Sequence, residues 1–238
     1  MKKILITTLL TVILISQSSS IAIAGKLQAS SKCSKIPTAV SEYCKKYNIP
    51  VSNSKEFIDE VEKMIDARNG FRRTSSSSGS NPLKKDRYIP KSSTADIIWT
   101  NNPITPFNHV GLYTASNKIT EALSNGVKTR TVGVKMPEYP FKIYKVTTKS
   151  NNNTRYSSAT RNKVADWAKK QVNKKYDYGF ADNKQNNSAS NKKFNCSELV
   201  WKSWKFTANV DLDSNGGKGV YPNNIKDSNR TKLINQSN

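Results

Sequence analysis

The chain has 238 residues, of which 39 are Lys or Arg, 17 are Asp or Glu and one is His, so its formal charge is +22 and its pI is near 9.9. That imbalance favours polyanions such as teichoic-type wall polymers, anionic lipid or extracellular nucleic acid. The basic residues are spread over every segment, with no recognition-helix pattern, zinc-ligand spacing or aromatic-basic RNA motif, so the charge argues for residence near a polyanion and against sequence-specific nucleic-acid reading.

The chain opens on Met1-Lys2-Lys3, a largely apolar run over residues 4–15, and Ala22-Ile23-Ala24 before Gly25. These are the three zones of a secretory signal peptide, residues 1–24, with cleavage expected after Ala24. The run of about 12 residues falls short of the roughly 20 that span a bilayer. No later segment reads as a transmembrane helix. Loss of Lys2 and Lys3 with the leader takes the formal charge from +22 to +20. The mature protein is expected to be secreted, and possession of so much positive charge would hold it at the cell wall.

Residues 36–47 and 54–68 read as short helices within a helical N-terminal segment, 25–70. The second has Ser54 or Asn53 as N-cap, Glu56 close behind, and Phe57, Ile58, Val61, Met64 and Ile65 as an apolar stripe, with Asn69-Gly70 as its stop. A polar, Ser-rich linker over 71–88 follows, and the main domain occupies 89–238. The alternative is that the helices complete one domain with the rest. With three cysteines in a secreted chain, Cys33 and Cys44 are the natural disulfide pair, which would contribute about 2–3 kcal/mol. They could not bridge on one continuous helix, where 11 residues would separate them by roughly 16 Å, so the helix is expected to begin near Pro37.

From residue 95 short β-runs appear over 96–100, 109–114, 119–123, 127–134 and 141–147, separated by turn signals of which Asn125-Gly126 is the strongest. An amphipathic helix over 158–174, with Val164, Trp167, Ala168 and Val172 on one face, can cover the resulting antiparallel sheet. The expected fold class is α+β.

The chemistry centres on two residues. His109, the sole histidine, begins a strand, and Cys196 opens a helix whose Leu199, Val200 and Trp204 share an apolar face. A sulfur at a helix N-terminus is stabilised as thiolate by the free N–H groups and the helix dipole, and a neighbouring imidazole adds an ion pair and a proton donor for the leaving group. Alone, a cysteine is more often a small apolar core residue and a histidine an ordinary one.

The stretches Asp96-Ile97-Ile98, His109-Val110-Gly111-Leu112-Tyr113, Ile119-Thr120-Glu121-Ala122, Tyr176-Asp177, Phe194-Asn195-Cys196-Ser197-Glu198-Leu199-Val200 and Tyr221-Pro222-Asn223-Asn224-Ile225 resemble the circularly permuted NlpC-type papain-like amidases, the YiiX-like group, over about residues 90–226. The resemblance implies a permuted papain-like fold in which histidine precedes cysteine. It implies Glu121 as third member of a Cys196–His109–Glu121 triad, and Tyr176 as a substrate-binding tyrosine beside the nucleophile. Outside the resemblance, Glu121 would be a solvent-facing strand residue and Tyr176 a half-buried ring. The family usually carries glycine where this chain has Ala95, so the turn there is expected to differ.

These features point to a secreted cysteine amidase or peptidase that needs no cofactor or metal and acts on a peptide or amide substrate such as peptidoglycan, with anionic wall polymers as partners. The competing readings are an acyltransferase or lipid thioesterase of the same permuted fold, and a noncatalytic wall- or polyanion-binding protein.

Overall fold

The computed structural model describes residues 36–75, 84–185 and 192–237. The leader, Cys33 and the centre of the Ser-rich stretch lie outside the described residues. Two helices lead: α1 (Thr38–Tyr47), which starts directly after Pro37 as its N-cap, and α2 (Lys55–Ser75). Ser54 caps α2 by accepting from the Phe57 N–H at 3.3 Å. The Asn69-Gly70 pair does not stop α2, because neither residue takes the left-handed conformation that a C-cap of this kind requires.

Strand β1 (Lys84–Tyr88) is followed by β2 (Ile97–Thr100), β3 (His109–Ala115), β4 (Lys118–Leu123), β5 (Gly126–Thr131), β6 (Lys135–Glu138) and β7 (Phe141–Val146). Then come α3 (Ser158–Lys169), the two-residue strands β8 (Lys175–Tyr176) and β9 (Lys193–Phe194), α4 (Cys196–Ala208), α5 (Pro222–Lys226) and β10 (Thr231–Gln236). Six strands form one antiparallel sheet in the order β10-β7-β2-β3-β4-β5, β1 pairs with β6, and β8 runs parallel to β9. The fold is α+β, and among the described residues no helix is long and apolar enough to cross a membrane.

Period-2 alternation separates two cores. Ile97, Val110, Leu112, Tyr144 and Val146 face α3 and α4 and meet Val164, Ala168, Val200 and Trp204. Their chain neighbours Ile98, Tyr113, Ile119 and Ile143 pack on the other side with Ile89 and Val132. Ala95, before β2, is buried with φ +65°, the left-handed conformation that glycine adopts at no steric cost. The alanine thus makes the turn that a glycine would make, and its methyl joins the core.

Besides the end of α2 and strand β1, which take up 71–75 and 84–88 of the expected 71–88 linker, two further boundaries differ from the sequence reading. The expected strand over 127–134 is cut by a turn at Gly133 (φ +90°), whose N–H bonds Ile89 O at 2.9 Å, so a separate β6 follows. The helix expected to reach 174 ends at Lys169 because Asn173 leaves it to bond Val127 O at 2.9 Å, while Val127 N–H donates to Lys174 O at 2.8 Å. Gly126 (φ +105°) permits that contact, since a Cβ there would sit 2.6 Å from Lys174 O.

α1 and α2 share a third core with Phe107, Phe180 and Tyr221. Phe107 is its hinge, with ring centroids 4.8 Å from both Phe180 and Tyr221 and 6.2 Å from Phe57. Cys44 belongs to this core as a buried free thiol, and its expected partner Cys33 lies outside the described residues, so no bridge is seen. Phe107→Ala is expected to cost about 3–5 kcal/mol, read as a fall in the urea midpoint; a loss below about 1 kcal/mol would mean that the helix pair is not tied to the sheet through this ring.

Candidate functional site

His109 is the first residue of β3, and the backbone before it is set by Asn108 at φ +66°. The Asn108 side chain donates to Asn223 Oδ1 at 3.4 Å, the same oxygen that accepts from Trp99 Nε1 at 3.1 Å, and Thr105 Oγ1 donates to Asn108 O at 2.7 Å. The loop into His109 is also gripped from the helix pair. Tyr47 OH donates to Pro103 O at 3.1 Å, Tyr43 OH donates to Pro106 O, and Arg68 donates to Thr105 O and Pro106 O.

Glu121 comes from β4, the hairpin partner of β3. Its Oε2 lies 2.6 Å from His109 Nε2, and both side chains are buried. The close approach depends on Gly111: a Cβ there would meet Ile119 Cγ2 at 2.7 Å, Glu121 Cβ at 3.2 Å and Glu121 Oε2 at 3.4 Å. On the far side, Arg130 of β5 is opposite Ile119 and thus diagonal to Glu121. Its Nε donates to Glu121 Oε1 at 2.6 Å and its Nη2 to Glu138 Oε2 at 2.9 Å.

Cys196 is the first residue of α4. Asn195 caps the helix: its Oδ1 accepts from Glu198 N–H at 2.9 Å, and Glu198 Oε2 accepts from Asn195 N–H at 3.3 Å, a reciprocal capping box. Asn195 is fixed further by donating to Gly179 O at 3.0 Å and accepting from Ser197 Oγ at 3.1 Å and Asn183 Nδ2 at 3.3 Å. Cys196 therefore sits at a helix start where backbone N–H groups lack intrahelical partners. The parallel β8–β9 pair, extended by Asp177 N–H to Phe194 O at 3.0 Å, lays Tyr176 alongside it.

The structure thus brings Cys196, His109, Glu121 and Tyr176 together. Cys196 is close enough to the His109 ring and the Tyr176 hydroxyl to raise the pKa of both. Glu121 takes Nε2 of the ring. Burial opposes charge on His109, but the hydrogen bonds and charges of Cys196 and Glu121 outweigh it and push its pKa up to about 10. Burial likewise opposes charge on Glu121, and His109 and Arg130 together hold it down to about 2. Burial, then the charge of Cys196, raises the Tyr176 phenol well above its usual range, so it stays a neutral hydrogen-bond donor. The sequence reading missed Arg130, Glu138, Gly111 and Asn195. Only Asn195 had a readable signal, the Asn-x-x-Glu spacing to Glu198. Among the described residues, no group of three or more His, Cys, Asp or Glu side chains is arranged to hold a metal ion.

A family model described as permuted papain-like amidase enzyme, YaeF/YiiX, C92 family, matches residues 90–234. The uncharacterized protein YycO of Bacillus subtilis (strain 168) is 34% identical over 159 residues, covering 66% of this chain and 60% of YycO, so the chain spans less than two thirds of that relative. A crystal structure of the metalloprotein yiiX from Escherichia coli O157:H7 aligns over 62% of this chain and 98% of its own, with 17% identity and a TM-score of 0.44.

The raised His109 pKa fixes a sign. A ring whose folded pKa lies near 10 contributes stability in full below about 6.5, and that contribution is lost as pH rises through about 10. As the sole histidine, it gives one unambiguous imidazole NMR signal. It is expected to titrate far above 6.5 in the wild type and at least about one pH unit lower in Glu121→Gln. A wild-type midpoint near 6.5 would contradict the ion pair.

Proposed function

The chain belongs to the permuted papain-like amidase family of the YaeF/YiiX, C92 type, and from that membership we propose that it is a thiol hydrolase cleaving amide or peptide bonds. The observation that carries this reading is the buried 2.6 Å contact of His109 with Glu121, with Cys196 at the start of α4 near enough to raise the imidazole pKa.

In the proposed reaction the Cys196 thiolate attacks the carbonyl carbon while the oxyanion is met by the Cys196 N–H and the Tyr176 hydroxyl. The C–N bond breaks as His109 imidazolium gives its proton to the departing amine, leaving a thioester. The neutral imidazole then takes a proton from water, the hydroxide displaces sulfur, and the acid product leaves with thiolate and imidazolium restored. Glu121 holds the ring in one orientation and favours its charged form. Arg130 keeps Glu121 ionised and aimed.

Peptide bonds of the bacterial wall are the proposed substrate, on the reading that residues 1–24 direct secretion and that a charge of +22, or +20 without the leader, favours anionic wall polymers. Incubation with purified muropeptides and with acyl esters, read by mass spectrometry, is expected to give amide cleavage by the wild type and a loss of about 10³-fold or more in Cys196→Ala. Product from acyl esters alone would replace this reading with an acyltransferase or thioesterase.

Charge and chemistry are expected to respond differently to salt. Exposed charges are screened within about 3 Å at 1 M, so sedimentation with purified walls should fall steeply from low to high sodium chloride. Turnover of a small soluble peptide should change far less. Wall binding that persists at about 1 M salt would show that charge is not the tether.

A further inference from the structure

Two cavities share a wall, and Tyr176 lines one of them. One, of about 660 Å³, is lined by Tyr176, Tyr178, Gly179, Asp182 and Pro50 among others. The second, of about 700 Å³, also includes Pro50, Gly179 and Asp182, and continues along residues 50–54. Together they make a trough that starts at Tyr176, whose strand partner Phe194 lies two residues before Cys196, and runs out along the loop joining α1 to α2. Each half has the size of a site for a short peptide.

The loop is held as a wall. Ile49 is buried and its N–H bonds Cys44 O at 3.1 Å, Ser54 N–H donates to Ser52 Oγ at 3.2 Å, and Ser54 caps α2. One turn on, Glu56 accepts from Lys218 N–H at 2.8 Å, which ties α2 to the opposite bank. Pro50 and Val51 are exposed along the trough, and Tyr178 stands edge-on to Tyr176 with centroids 4.9 Å apart, giving an apolar strip beside backbone and carboxylate acceptors. Residues 50–54 lie outside the 90–234 match to the family.

We propose that the trough is the binding site for the acyl-side peptide of the substrate, and that the loop at residues 50–54 sets how long a peptide is preferred. The inference rests on the thiol-hydrolase reading. The carbonyl that acylates Cys196 lies near Tyr176, whose ring lines the inner cavity, and the trough is the channel that the attached chain can follow from there. The same hold keeps the acyl part in place through the thioester stage.

The test compares two labels of Cys196, iodoacetamide and a neutral tripeptidyl chloromethyl ketone, in wild type and in Val51→Trp, whose ring would fill the outer trough from an exposed position. The peptide label is expected to saturate in the wild type, and Val51→Trp to lower its second-order rate by about tenfold or more while leaving the iodoacetamide rate unchanged. Tyr178→Ala is expected to weaken peptide labelling in the same selective way. An unchanged peptide rate in both variants overturns the trough as a binding site while leaving the nucleophile intact. A Cys196 that resists iodoacetamide overturns the hydrolase reading itself, and with it the trough.

Discussion

Everything at this site depends on placing a carboxylate and an imidazole 2.6 Å apart inside the protein and keeping both charged. Burying either charge alone is costly, and the pairing repays the cost only when the remaining polar atoms are also satisfied. The fold meets that condition by register. β3 delivers His109 and β4 delivers Glu121, with Gly111 leaving the space for the carboxylate, and β5 supplies Arg130 to the second carboxylate oxygen. Glu138 then neutralises the far end of the guanidinium. The result is an alternation of charges from imidazole to surface, in which each member lowers the cost of burying the next.

The Cys196 thiol reaches this array from a later part of the chain, at the start of α4. Its position is fixed by the α4 N-terminus, and the Asn195 cap binds that terminus to the segments around residues 179, 183 and 220. Helix start and strand start are thereby separate rigid pieces, and the contact between thiol and imidazole is made by the packing of α4 on the sheet through Val110, Leu112, Val200 and Trp204. Shape complementarity in that core is thus what sets the placement of the thiol relative to the imidazole.

The sequence exposed the parts whose physics is local. A strand opening on the sole histidine and a helix opening on cysteine are visible in short windows, as were α1 after Pro37 and most of the sheet, whereas Glu121 was singled out only by the family resemblance. Arg130 was not visible, because one cation among 39 carries no signal until β4–β5 register puts it diagonal to Glu121. β10 was missed because its side chains are largely exposed and a register shift between Leu233 and Asn235 breaks the alternation. The end of α3 was missed because the competing partner, the start of β5, lies more than 40 residues earlier.

The helix pair shows how a segment outside the family match can still bear on the reaction. Loop carbonyls of Pro103, Thr105 and Pro106 face inward and need donors, and α1 and α2 supply them through Tyr43, Tyr47 and Arg68. Arg68 also lies over the rings of both tyrosines, at 5.2 Å from Tyr43 and 4.5 Å from Tyr47, so the donors are fixed relative to one another. Those carbonyls belong to the segment that ends in the left-handed Asn108, whose conformation directs the chain into His109. Loosening the clamp would free a strained residue immediately before the imidazole, and strain of about 1–2 kcal/mol per left-handed residue is enough to let such a turn relax. The helices therefore act on the imidazole through side-chain hydrogen bonds to loop carbonyls, at a distance from the Cys196 sulfur.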